Sequence, residues 1–285
     1  MIGRSDERGY ILQQYTENDS IVILGNGPKT EPIYAIGDKA FLSRRDVVKV
    51  LLPDSVRKVG DWAFAHMKKL EEISFPAEEI DFGRKVFLGC DNLLKVTVRG
   101  RDAEDRAYLT AASLKLCGEN LLKPARGDAD WYRAYDAVLL QFLAEKDTDG
   151  FEPAFIGWFQ DEDVDDQREL YGVQKRKDKV KYALQRLVFD AYLAPDTMKM
   201  LKAFLLTDDR ERLDAVTEQM DAGNGAFFGD CLRLVRMWKE VGGFAYLSAT
   251  ELLERLPEAD PEVRAYLMEC AVPAGSDDFF AGFDL

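Results

Sequence analysis

A single histidine, His66, sets the first bound on the chemistry of this chain. A histidine-activated nucleophile or a histidine-rich metal site needs more partners than one imidazole supplies. His66 falls just after Phe64, in a stretch that varies between repeats, and is expected to be an ordinary surface residue. The cysteines Cys90, Cys117, Cys231 and Cys270 are far apart and form no Cys-x-x-Cys pair, so neither a disulfide framework nor a zinc site is indicated. Glu145-Lys146-Asp147-Thr148-Asp149-Gly150 begins like a calcium loop. The position that should carry a bidentate Glu is Ile156, and Pro153 interrupts the run, so a helix-ending turn is expected instead. The carboxylates of Asp161-Glu162-Asp163-Val164-Asp165-Asp166 could bind Mg²⁺ or move protons, but without a pocket signature they fit a solvated loop or a helix N-terminus. Gly25-Asn26-Gly27-Pro28 lacks the Lys-Ser/Thr of a phosphate loop and reads as a turn. Lys175-Arg176-Lys177, with Lys179 and Lys181, is a basic patch on a helix, expected to pair with the acidic run of its own module. These residues name no catalytic group, no metal ligand and no cofactor, and an enzyme is not the expected reading.

Composition narrows the class further. Net charge is -14 and hydrophobic residues make up 47% of the chain, which fits a packed protein and argues against a nucleic-acid binder. Residues 1–99 are charge-neutral, so the whole excess of acid lies in residues 100–285. That asymmetry suggests two modules. No apolar stretch is long enough to insert in a membrane, and Met1–Arg8 has no apolar leader, so a cytoplasmic location is expected.

The elements that position these residues begin with a repeat. Gly37, Gly60 and Gly83 are 23 residues apart, as are Phe41, Phe64 and Phe87. The same step relates Val47, Leu70 and Leu93, then Val50, Ile73 and Val96, then Leu52, Phe75 and Val98. A period of 23 falls in the range of leucine-rich repeats. Ile73 and Phe75 alternate with Ser74, which is strand periodicity, and Pro76 ends the strand. Stacked coils would form a parallel sheet, with the Phe column as a buried ladder and the Gly column in tight turns of positive φ. Residues between the inward ones must then point outward. They are Lys49 and Leu51, Glu72 and Ser74, and Lys95 and Thr97, six side chains in one patch proposed as a partner-binding surface.

Ile36-Gly37-Asp38-Lys39-Ala40-Phe41, echoed by Val59-Gly60-Asp61-Trp62-Ala63-Phe64, resembles the BspA-like leucine-rich repeat family. Phe87-Leu88-Gly89-Cys90-Asp91-Asn92-Leu93 is similar to its Phe-x-x-Cys-x-x-Leu segment, and Gly9 to Tyr15 with Ile21 to Leu24 is similar to its entry coil. Gly25 to Glu31 looks like an insertion. The resemblance covers residues 1–99. It implies a bacterial protein with a binding role, including adhesion in surface-located members.

After Arg99 the step stops and helical spacing takes over. Trp131, Tyr135, Val138 and Phe142 share a helical face, as do Val180, Leu184, Leu187 and Ala191, and Phe228, Cys231, Val235 and Trp238. Pro195-Asp196, Thr207-Asp208-Asp209 and Ser248-Ala249-Thr250 are helix-start signals, and Gly150, Gly223, Gly225 and Gly242-Gly243 punctuate the helices. The expectation is an α+β protein: a solenoid over 1–99, then six to eight helices over 100–285, the first covering the solenoid's open end, and a flexible acidic-aromatic tail from Gly275 to Leu285. The expected function is non-enzymatic protein–protein interaction through the solenoid strand face. The alternatives are an exported cell-surface adhesin, or an enzyme in the helical half that uses acidic residues.

Overall fold

The computed structural model describes residues 1–100, 104–122, 128–151, 161–221 and 231–272. Residues 101–103 of the junction, Pro153 and Ile156, Gly223, Gly225 and Phe228, and the tail from Gly275 to Leu285 lie outside them. The chain forms two compact units, Met1–Leu139 and Leu140–Leu285.

The first unit is a parallel β-solenoid with two sheets. One contains β3 (Ile21–Ile23), β5 (Lys49–Leu51), β7 (Glu72–Phe75) and β9 (Lys95–Val98), in that order. The other runs β1 (Ile2–Asp6), β2 (Gly9–Gln14), β4 (Ile33–Ile36), β6 (Lys58–Val59) and β8 (Asp81–Phe82), with β1 antiparallel to β2. The 23-residue step is the register itself: Lys49 lies beside Glu72 and Glu72 beside Lys95. The first coil departs from it, pairing Ile21 with Lys49, because residues 25–31 are inserted after β3 and include a short 3-10 turn at Pro28–Thr30.

Phe41, Phe64 and Phe87 stack as expected, with centroids 5.1 Å and 5.7 Å apart. Tyr15 adds a fourth rung 4.9 Å from Phe41, where the first coil offers Tyr in place of Phe. Val50, Ile73 and Val96 are fully buried beneath the strands. Burial of such side chains, each worth about 1.5–3 kcal/mol, is what holds the coils together.

The Gly column has a different cause from the expected one. Among the described residues, the positive-φ positions that recur at the 23-residue step are Lys39, Trp62 and Lys85, and Ser43, His66 and Gly89, whereas Gly37, Gly60 and Gly83 are not among the positive-φ residues. The glycines are there because the preceding coil lies against them. A Cβ on Gly60 would sit 2.6 Å from the backbone nitrogen of Asp38, and one on Gly83 2.6 Å from that of Asp61. This close approach lets Asp38 accept a hydrogen bond from the Asp61 N–H, and Asp61 from the Arg84 N–H, each at 2.8 Å. The carboxylates thus stitch one coil to the next.

The last coil is covered by α1 (Glu104–Cys117). Ala111 and Leu122 join the solenoid core, and Leu114 packs against it. Lys115 Nζ donates to the Asp91 carbonyl at 3.0 Å, and Lys95 Nζ lies 4.7 Å from the centre of the Tyr108 ring. An end coil would otherwise leave apolar columns in water, which is why the first unit continues past Arg99. In α2 (Asp128–Ala144) the buried face is Trp131, Tyr132, Tyr135 and Leu139, while Val138 and Phe142 are half-buried. Trp131 Nε1 donates to the Leu121 carbonyl at 2.8 Å.

The second unit is helical: α3 (Asp161–Val188), α4 (Pro195–Leu205), α5 (Arg210–Met220), α6 (Cys231–Glu240), α7 (Ala249–Arg255) and α8 (Pro261–Ala271). The three helix-start signals hold. Pro195 opens α4, Asp209 accepts from the Arg212 N–H, and Ser248 accepts from the Glu251 N–H. Val180, Leu184 and Leu187 are buried on α3, but Ala191 lies beyond its end. There the fully buried Arg186 donates to the carbonyls of Phe189 and Ala191, placing a cation at the helix C-terminus, where the dipole favours it.

Candidate interaction surface

Strand alternation brings the six expected side chains to one face. Inward residues of β5, β7 and β9 are buried except Val98, which is half-buried, and Lys49, Leu51, Glu72, Ser74, Lys95 and Thr97 are half-exposed between them. In-register pairing sets them in two rows, Lys49–Glu72–Lys95 and Leu51–Ser74–Thr97. Lys49 Nζ and a Glu72 oxygen are 2.5 Å apart, while Ser74 Oγ takes a hydrogen bond from Arg99 at 3.3 Å. An exposed pair of this kind contributes about 0–1 kcal/mol, so it orients the row more than it stabilises the fold.

The rows are longer than the sequence reading made them. β3 adds Ile21 beside Lys49 and Ile23 beside Leu51. Ile21 and Ile23 are 57% and 71% exposed, whereas Val22 between them is buried. The 23-residue step could not find them because the insertion shifts this strand out of the column. The sequence carries no period-2 signal here either, because Ile21-Val22-Ile23-Leu24 is apolar throughout. The face therefore runs from an apolar end at β3 to a polar end at β9.

The other residues singled out by type are occupied. The turn after α2 holds the cations of α3 rather than an open loop. Lys175 Nζ lies 2.7 Å from Glu145, Lys179 Nζ 2.9 Å from Asp147, and Arg176 Nε 2.9 Å from the other Asp147 oxygen. Burial of Asp147 disfavours its charge, but the hydrogen bonds from Lys179 and Arg176 outweigh that and hold its carboxyl below the usual range. Lys177 pairs with Glu218 of α5 at 2.8 Å, and Arg176 also reaches Glu211. The basic patch was expected to meet the acidic run at 161–166. Both lie on the same helix, and its rise of about 1.5 Å per residue keeps them turns apart. The run instead forms the N-terminal turns of α3.

His66 is half-buried, with its ring 6.2 Å from that of Trp62 and its Nδ1 closely facing Gly89. Cys90 is buried, its thiol donates to the Phe64 carbonyl at 3.0 Å, and burial pushes its pKa up to about 11. Among the described residues no group of three or more His, Cys, Asp or Glu is placed to hold a metal ion, and no helix is long and apolar enough to cross a membrane. A cavity of about 390 Å³ on the second sheet is lined by Arg4, Arg8, Tyr34 and Lys58, where Arg8 stacks on Tyr34 and donates to its hydroxyl.

Coil length, stacked aromatic ladder and in-register parallel strands define a leucine-rich-repeat solenoid followed by helices. Residues 28–110 match the BspA type leucine rich repeat region, in six copies, and the N-terminal part of the chain is a repeat of this kind. A solved leucine-rich-repeat protein of T. pallidum is similar, with 26% identity over 34% of this chain and a TM-score of 0.33. The chain spans 46% of that protein's length. No curated protein matches the sequence.

Proposed function

We propose that this chain is a non-enzymatic protein-interaction module whose solenoid strand face, through Lys49, Leu51, Glu72, Ser74, Lys95 and Thr97, binds another protein. The carrying observation is the graded face: an apolar end at Ile23 and Leu51 runs into a charged row whose side chains are held in register. Apolar anchors beside oriented polar groups are how protein interfaces combine affinity with direction. A net charge of -14 favours a protein partner over nucleic acid. Four free thiols suit a reducing, cytoplasmic setting.

The test starts from a partner recovered by crosslinking in the source cells. Its affinity is then measured for Leu51→Asp combined with Glu72→Lys. A loss of at least roughly tenfold, about 1.4 kcal/mol, supports the face. Unchanged affinity in a folded double variant moves the site elsewhere.

A further inference from the structure

We propose that the outer edge of β3 is a docking slot for one extended segment of another protein, added as a strand beside it. The face proposal does not enter this argument, which rests on the main chain. The Ser20 carbonyl accepts from the Lys49 N–H at 3.2 Å, and the Leu24 N–H donates to the Leu51 carbonyl at 3.0 Å. Alternation along a strand then turns residues 20, 22 and 24 toward β5 and aims the N–H and C=O of Ile21 and Ile23 off the sheet. β3 is the terminal strand of its sheet, and among the described residues no strand lies on its outer side.

Free edges of this kind are usually blunted by shortness, Lys, Pro, a bulge or a covering element, and β3 has only the first of these, at three residues. Ile21-Val22-Ile23-Leu24 has no charge and no proline, and its pairing with β5 has no register shift. The exposed isoleucines flank the four outward backbone groups. Water meets these groups in the free protein, and another extended main chain matches all four at strand spacing.

The neighbouring sheet decides the size of the occupant. β1 already stands beyond β2 in the second sheet, and the Met1 amino group lies 3.1 Å from Thr16 Oγ1, on the segment leading into β3. A strand added beyond β3 would therefore lie in the same layer as β1. A second copy pairing edge to edge would bring its own β2 into the layer that β1 fills. Charge selects the sequence of the occupant. Glu17 and Asp19 lie exposed at the entrance of β3, Glu17 3.4 Å from the Met1 amino group and Asp19 accepting from the Tyr15 hydroxyl at 2.6 Å; both keep an exposed carboxylate face, so the segment is basic at the end that meets them and apolar at the positions opposite Ile21 and Ile23.

The test uses the full chain and a fluorescein-labelled nonapeptide alternating Thr and Ile, with two lysines at one end. In the free protein, the amides of Ile21 and Ile23 should exchange fast while that of Val22 is protected. Saturating peptide should slow exchange at Ile21 and Ile23 selectively. Ile21→Lys with Ile23→Lys, on exposed side chains that the fold does not need, should weaken anisotropy-detected binding by roughly tenfold or more. A peptide with proline at alternate positions should not bind, and one with glutamates for its lysines should bind more weakly. Leu51→Asp with Glu72→Lys should leave peptide binding unchanged, which separates this slot from the face. Protected Ile21 and Ile23 amides in the free protein, binding that survives the double-lysine variant, or dimerisation through this edge would each overturn the proposal. So would peptide binding that appears only after residues 273–285 are deleted, because the chain's own tail would then be the occupant.

Discussion

Replacing Phe64 by alanine removes the central rung of the aromatic ladder. The ring is fully buried, with Phe41 at 5.1 Å on one side and Phe87 at 5.7 Å on the other. Phe→Ala in a core costs about 3–5 kcal/mol, and more where the site cannot collapse. Here the rings on both sides are fixed by coils that are hydrogen-bonded to each other, as in Phe41 N–H to the Ala63 carbonyl and Phe64 N–H to the Val86 carbonyl. The coils cannot close over the gap, so the cost belongs in the upper half of that range, about 4–5 kcal/mol. Phe87 is 8% exposed and has no following rung, so Phe87→Ala should sit near the lower end, about 3 kcal/mol. A domain has only about 5–15 kcal/mol to lose. The assay is hydrogen exchange of the β5 and β7 amides in the full chain across a urea series, which reports the solenoid separately from the helices. Less than about 1.5 kcal/mol for Phe64→Ala, or a larger loss for Phe87→Ala, would refute the ladder argument.

Gly60→Ala should destabilise the solenoid by about 1–3 kcal/mol through overpacking, because its Cβ would meet the Asp38 nitrogen at 2.6 Å and backbone cannot rotate away; an unchanged urea midpoint would contradict this. The Asp61 carboxyl is held below its usual pKa by the backbone N–H of Arg84 first and by the Arg84 side chain second. Its stabilising effect should be complete above the unfolded pKa of about 3.9 and fade as pH falls through the lower folded value; a carboxyl carbon titration in Asp61 at the ordinary carboxylate pKa would count against the coil-to-coil bond. Cys90 is a buried thiol with pKa about 11, so it should resist thiol reagents at neutral pH in the native state and react on unfolding. The same shift means that its contribution is intact below the unfolded value of about 8.5 and is lost as pH rises toward 11; rapid native-state labelling of Cys90 would show that the last coil is open.

The coil length, the Phe ladder and the outward set of six were legible because a stacked repeat turns sequence period into spatial register. Helix starts at Pro195, Asp209 and Ser248 were legible because capping is a local affair, settled within three residues. The second sheet was harder to see. β6 and β8 are two residues each, too short to carry a period. The apolar end of the face was missed for another reason: the insertion at 25–31 breaks the step on which the columns were found.

By itself the sequence determined that a 23-residue unit recurs, that one side of each strand is apolar, and that the chain holds one His and four Cys with no Cys-x-x-Cys pair. Tertiary structure decided what those residues meet. The glycines are explained by the neighbouring coil's backbone rather than by their own φ, and that contact joins residues 23 apart. The basic patch found its partners in the turn at 145–149 and in α5 because a rigid helix cannot fold its patch back onto its own first turns. The free edge of β3 is likewise a property of sheet order, since a strand's sequence fixes which residues alternate but not whether another strand lies alongside.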